Sequence, residues 1–164
     1  MPANGWVSGI KIRNQYFLAI PKRNMKTKYI ATLAIIAFLV HIIWENAQAS
    51  LYVGYESFSQ HFPMCLIGTV GDVAITLLVL AFMRLLKEDV TQATDFLALA
   101  MMGFVIAVAI EQHALLTGRW GYAPAMPIIP ILEVGLTPIM QMMLLLPLSF
   151  YLANLAKSAK SAFT

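Results

Sequence analysis

The sequence predicts an all-α integral membrane protein, a bundle of four transmembrane helices. Three observations carry that prediction. Of 164 residues, 60% are hydrophobic and 12% charged, against about 45–50% and about 25% in soluble domains. So small a chain cannot cover that much apolar surface with so few charges, and lipid is its natural solvent. Four apolar runs also approach the ~20 residues that cross a ~30 Å hydrocarbon core. The cations, finally, cluster at the ends of those runs.

Lys11, Arg13, Lys22, Arg23, Lys26 and Lys28 precede the first run, Arg84 and Lys87 close the second, and Lys157 and Lys160 follow the fourth. Only Arg119 lies elsewhere. The positive-inside rule then puts both termini in the cytoplasm, with a bacterial inner (cytoplasmic) membrane as the expected location. The net charge of +3 is used up by this distribution, so a nucleic-acid partner is excluded. The partner expected instead is the lipid bilayer. A single cysteine, Cys65, rules out an internal disulfide and a dithiol relay.

Residues 1–28 form a basic segment, 29–156 the transmembrane domain and 157–164 a short tail. For residues 1–24 two readings stand. Basic residues beside Trp6, Tyr16 and Phe17 suit a segment lying on anionic lipid, whereas Met25-Lys26-Thr27-Lys28 suits an alternative start. The spans are expected at 29–48, 64–86, 96–111 and 137–155, the last opening on Thr137-Pro138 and kinked at Pro147. The first span also has the parts of a cleavable signal ending at Ala49, against which stand His41, Trp44 and Glu45. The link 86–92 is short and charged, whereas 49–63 and 112–136 are long and rich in Tyr, Phe and Trp, as at a membrane interface.

Ionisable groups inside a span cost roughly 2.5–3.5 kcal/mol each and so need a reason. His41, Trp44, Glu45 and Gln48 share one face of the first span; Thr69, Asp72 and Thr76 share one face of the second. Gly68 and Gly71 are expected to let helices approach closely. Counted from the charged boundaries at ~1.5 Å per residue, His41, Glu45, Asp72, Glu111 and Gln141 all fall ~18–26 Å up, in one slab of the outer half of the bilayer. Such a slab inside a bundle is a candidate site. Asp72 and Glu111 are read as a proton-handling pair, with His41 and Glu45 supporting them. Arg119, Gln141, Trp44 and Tyr122 are read as substrate contacts, Arg119 for an anionic head group. The competing readings are structural: interhelical hydrogen bonds for Gln141 and the threonines, an Asp72–Arg119 or Asp72–His41 pair, and a Trp120/Tyr122 anchor with Arg119 paired to Glu111. His41, Glu45, Asp72 and Glu111 are ligand types a metal accepts, yet no HxxxH or HxxH pair occurs, and neither metal nor cofactor is assigned.

Trp44-Glu45-x-x-Gln48, Gly71-Asp72 and Gly118-Arg119-Trp120-Gly121-Tyr122-Ala123-Pro124-Ala125-Met126-Pro127 together resemble a group of small bacterial multi-pass membrane proteins. The likeness spans residues 29–155 and implies no activity. Glu111, Gly118 and Tyr122 are also similar to a span-end Glu and Gly- and Tyr-containing loop of membrane-embedded carotenoid cyclases and hydratases, whose span count this chain does not reach. The expected function is acid–base chemistry on a lipidic or isoprenoid substrate. The alternatives are a proton-coupled small-solute transporter working as a homo-oligomer, namely a homodimer, and a non-enzymatic subunit of a larger membrane complex.

Overall fold

The computed structural model describes residues 27–54, 57–87 and 89–162, so the expectations for residues 1–26 lie outside the described part. The described residues hold four long helices: α1 (Thr27–Gln48), α2 (Phe58–Leu86), α3 (Ala93–Leu116) and α4 (Leu136–Ala162). All four are long and apolar enough to cross a membrane, and the chain is a multi-pass membrane protein. Polarity runs opposite to that of a soluble helix. On α1 the exposed stripe is Ile35, Leu39 and Ile43, whereas the buried face holds Leu33, Ala37, His41 and Gln48. Apolar groups outward and polar groups inward is the arrangement lipid demands.

The ends of the helices follow from local chemistry. The Ser57 amide donates to Gln60 Oε1 (3.2 Å) at the start of α2. At the start of α3, Asp95 Oδ2 accepts from the Thr91 and Gln92 amides (2.9 and 2.8 Å) and pairs with Lys87 (2.7 Å). Gly118, at φ +65°, turns the chain out of α3, and the Arg119 amide closes back on the Ala114 carbonyl (2.9 Å). α3 extends five residues past its expected end, which puts His113 in the helix rather than in a loop. α2 begins six residues early, with Pro63 in its second turn. α4 starts at Leu136, so Thr137 does not cap it; its hydroxyl meets Met126 Sδ at 3.2 Å. α4 stays one helix through Pro147 and takes in most of the expected tail.

The prolines of the 112–136 segment frame a small hairpin, β1 (Ile128–Ile129) against β2 (Val134–Gly135), antiparallel with Ile128 opposite Gly135. Glu133 sits in its turn at φ +54° and joins no face of α4. The two aromatic loops are fastened by an antiparallel bridge between Tyr52 and Tyr122, with Val53 N–H on the Gly121 carbonyl (3.0 Å) and Ala123 N–H on that of Leu51 (2.9 Å). This aromatic end contrasts with the opposite, charged end, where Asp89 pairs with Arg84 (3.4 Å) and Lys157 (3.2 Å).

α1 packs on α2 and on α4, and α4 packs on α3; α2 and α3 form no comparable interface. One apolar core, including Leu33, Leu80, Leu99, Leu146 and Phe150, binds all four helices toward the charged end. A second, around Ala107, Val134, Ile139 and Met142, seats the hairpin on α3 and α4. The glycine that draws two helices together is Gly103, not Gly68 or Gly71. A Cβ on Gly103 would lie 2.5 Å from the Met142 carbonyl oxygen, whereas Gly68 faces the Glu45 carboxylate and Gly71 faces open space. Gly103→Ala is therefore expected to force α3 and α4 apart at a cost of about 1–3 kcal/mol. The Gly71→Ala control is expected to hold its stability or gain slightly. Thermal unfolding midpoints in detergent, compared with wild type, check both.

Candidate functional site

The polar residues of α1, α2 and α4 meet at one nitrogen. Gln141 is buried on α4, and its Nε2 lies 2.8 Å from Glu45 Oε1, 2.9 Å from Asp72 Oδ2 and 3.2 Å from His41 Nδ1. An amide nitrogen has two hydrogens. Two carboxylate oxygens at the shorter distances take both, so the imidazole receives neither. His41 Nδ1 then carries its own hydrogen toward Asp72 Oδ2, 2.9 Å away.

The orientation of that amide is set from the end of α1. Trp44 Nε1, which can only donate, reaches Gln48 Oε1 (3.2 Å). That turns Gln48 Nε2 toward Gln141 Oε1 (2.6 Å), which in turn points Gln141 Nε2 at the carboxylates. Gln48 Nε2 also lies 3.4 Å from Glu45 Oε1. Donors thus run one way, from indole to amide to amide to carboxylate. Trp44, Glu45 and Gln48, which share one face of α1, take part in this relay, and His41 on the same face stands against Asp72. Behind it, His41 Nε2 and Thr69 Oγ1 are buried without a partner among the described residues.

Glu111 belongs to a separate arrangement. Its Oε2 accepts from Tyr122 Oη and from Trp120 Nε1 (3.2 Å). Tyr122 Oη accepts in turn from the Gly135 amide (2.9 Å). A loop, a helix end and the hairpin are thereby locked together. Burial, and after it the Glu111 carboxylate, hold the Tyr122 phenol well above its ordinary pKa, so it remains a donor. Arg119 does not pair with Glu111, nor with any carboxylate among the described residues. Its guanidinium lies over the Trp120 ring, 5.9 Å from the centroid. The two donors on Glu111 displace the expected ion pair.

A cavity of about 340 Å³ joins the two arrangements. Glu45, Asp72, Glu111, Arg119 and Gln141 line it, against an apolar wall that includes Ile75, Ala107 and Met142. Of the residues expected at the site, His41 stands behind Asp72, Trp44 works through Gln48, and Tyr122 works through Glu111; these three do not line the cavity. Gln48, Tyr52 and Trp120 do line it and were not assigned to the site. Gln48 carried a signal in its spacing from His41. Tyr52 reaches the wall only through the loop bridge, which nothing local in the sequence announces. Among the described residues no group of three or more His, Cys, Asp or Glu side chains is placed to hold a metal ion.

Comparison with family models, with curated proteins and with solved structures found no match. The fold and this cavity define the class, a multi-pass membrane protein whose described residues hold four candidate spans around a polar interior.

Tyr122→Phe removes the donor to Glu111 and the acceptor for the Gly135 amide together. Loss of about 1–3 kcal/mol is expected from the partners left unsatisfied, read as a lower unfolding midpoint in detergent. An unchanged midpoint would mean that the loops are held without Tyr122.

Proposed function

We propose that the protein is an intramembrane enzyme that moves protons on a lipidic or isoprenoid substrate bound in this cavity. One observation carries the reading: three carboxyl groups open onto an apolar-walled cavity at membrane depth, and each is held by other side chains of the chain. A membrane interior gives polar groups no solvent, so carboxyl groups facing an apolar space are costly unless they act on what enters it.

The roles follow from the partners. Asp72, whose Oδ2 lies 2.9 Å from His41 Nδ1, can release and recover a proton with the imidazole beside it to balance the charge. Glu45 shares the Gln141 amide with it and offers a second acceptor. Glu111 is fixed through Oε2, and its Oε1 makes no hydrogen bond among the described residues and is free to take a proton from a substrate. Protonating one carbon of a double bond and withdrawing a proton from the carbon next to the resulting cation shifts the double bond. One C–H bond forms, one breaks, and the proton Glu111 gains offsets the one Asp72 gives, so no co-reactant is consumed. His41, which reaches the cavity only through Asp72, is a positioning residue.

Lipid profiles of membranes from cells expressing wild type, Asp72→Asn, Glu111→Gln or an empty vector test the reading. A species altered by wild type alone is expected, its turnover falling roughly 10²-fold or more in either variant. Identical profiles from stably inserted proteins, in a host that makes both fatty and isoprenoid lipids, would overturn it.

We also propose that the charged end faces the cytoplasm of a bacterial inner membrane, since Arg84, Lys87 and Lys157 gather there. In a Cys65→Ala background, a cysteine placed at Ile131 should react with an impermeant maleimide in intact cells. One at Ser158 should react only after lysis. The reverse pattern would invert the orientation.

A further inference from the structure

The chain joins α2 to α3 through a short link, yet the two helices form no interface like the other three. Toward the aromatic end the cavity occupies the space between them. Its walls there are one stripe of α2 at helical spacing, Ile67, Gly68, Gly71 and Ile75, and Ala107 and Ile110 of α3. Ile67 and Ile110 are cavity wall and outer surface at once, 64% and 38% exposed. The cavity therefore opens sideways, through a slot between these two helices. A Cβ at Gly71 would meet no atom within 4 Å, so the middle of the slot is unfilled. Both walls belong to membrane-spanning helices, and what lies against such a slot is hydrocarbon chain, not water.

The end of the slot has a different chemistry. Among the described residues Arg119 is the one cation in the cavity lining, and none of their carboxylates claims it. The acidic groups nearby are engaged elsewhere: Asp72 by His41 and Gln141, Glu45 by Gln141, Glu111 by Tyr122 and Trp120. Gln141 lies five residues into α4 and Glu111 five residues before the end of α3. At 1.5 Å per residue the carboxyl cluster sits ~7–8 Å below the helix ends from which Arg119 reaches in.

Resting on the enzymatic reading above, we infer that the substrate is a single-chain amphiphile with an anionic head group, which enters from the bilayer between α2 and α3. The head group is held by the Arg119 guanidinium, and the first stretch of chain passes Gly71 and lies against Asp72 and Glu111. About 340 Å³ is at the small end of ligand sites. It fits the head-proximal part of one chain, and the remainder trails through the slot into lipid. A carboxylate head on a fatty chain and a phosphate head on a prenyl chain share this chemistry.

The test is photo-crosslinking of the full chain in phosphatidylcholine nanodiscs. Two probes are used, an oleic acid and a farnesyl phosphate, each with a diazirine on the chain. At least one probe is expected to label residues 67–75 or 107–110 saturably and to be displaced by its unlabelled parent; which of the two does so identifies the head group. Gly71→Phe, which fills the slot, is expected to cut that labelling roughly tenfold, and Arg119→Gln to weaken displacement by a similar factor while Arg119→Lys restores most of it. Gly71→Ala, with its unfolding midpoint measured alongside, guards against a folding defect in the larger variant. Labelling that does not saturate, or that persists in a folded Gly71→Phe protein, would overturn the inference. Saturable labelling without any change in cellular lipids would sink the enzymatic reading and leave the portal standing. A lipid change that depends on wild type, with no labelling of the slot, would do the opposite.

Discussion

The polar groups that α1, α2 and α4 turn toward one another hang on one primary amide. The two hydrogens of Gln141 Nε2 hold two carboxylates from two other helices, and its oxygen is held by Gln48. In water such bonds are exchanged for others at little net cost, but hydrocarbon offers no substitute. The amide therefore fixes where α1, α2 and α4 stand relative to one another at that level, and it brings acidic groups together without a cation. A lysine or arginine at this position would neutralise the carboxylates instead of presenting them. An amide binds them and leaves their acid–base capacity in place.

Orientation, not only proximity, follows from this. Amides can flip, and a flipped Gln141 would turn its oxygen toward two carboxylates. The indole of Trp44 prevents that at two removes, because an N–H that only donates forces the order of every donor and acceptor after it. The tryptophan is thus far more constrained than its half-buried place at the end of α1 suggests.

Much of this was legible in the residues themselves. Spans, their number and the shared depth of His41, Glu45, Asp72, Glu111 and Gln141 follow from hydropathy and from a rise of 1.5 Å per residue, and the structure brings four of these five to one cavity, with His41 just behind it. What was not legible depends on pairings across the chain. Glu111 prefers Tyr122 and Trp120 to Arg119 because the loop folds back onto the hairpin through a bridge between Tyr52 and Tyr122, and no local pattern encodes a bridge of two residues. Glycines misled for a related reason. Gly68, Gly71 and Gly103 look alike in an apolar run, and only the neighbour of each decides whether it admits a carboxylate, a void or another backbone. Thr137, an apparent cap, is a residue inside the helix because the hairpin delivers the chain to α4 one position early.

The bridge between the aromatic loops has a mechanical meaning as well. At the charged end a short link joins α2 to α3, and at the other end paired backbone fastens Leu51–Val53, which follows α1, to Gly121–Ala123, which follows α3. Loops stitched in this way share a load: a shift at the end of α1 is passed through the seam to the segment that follows α3.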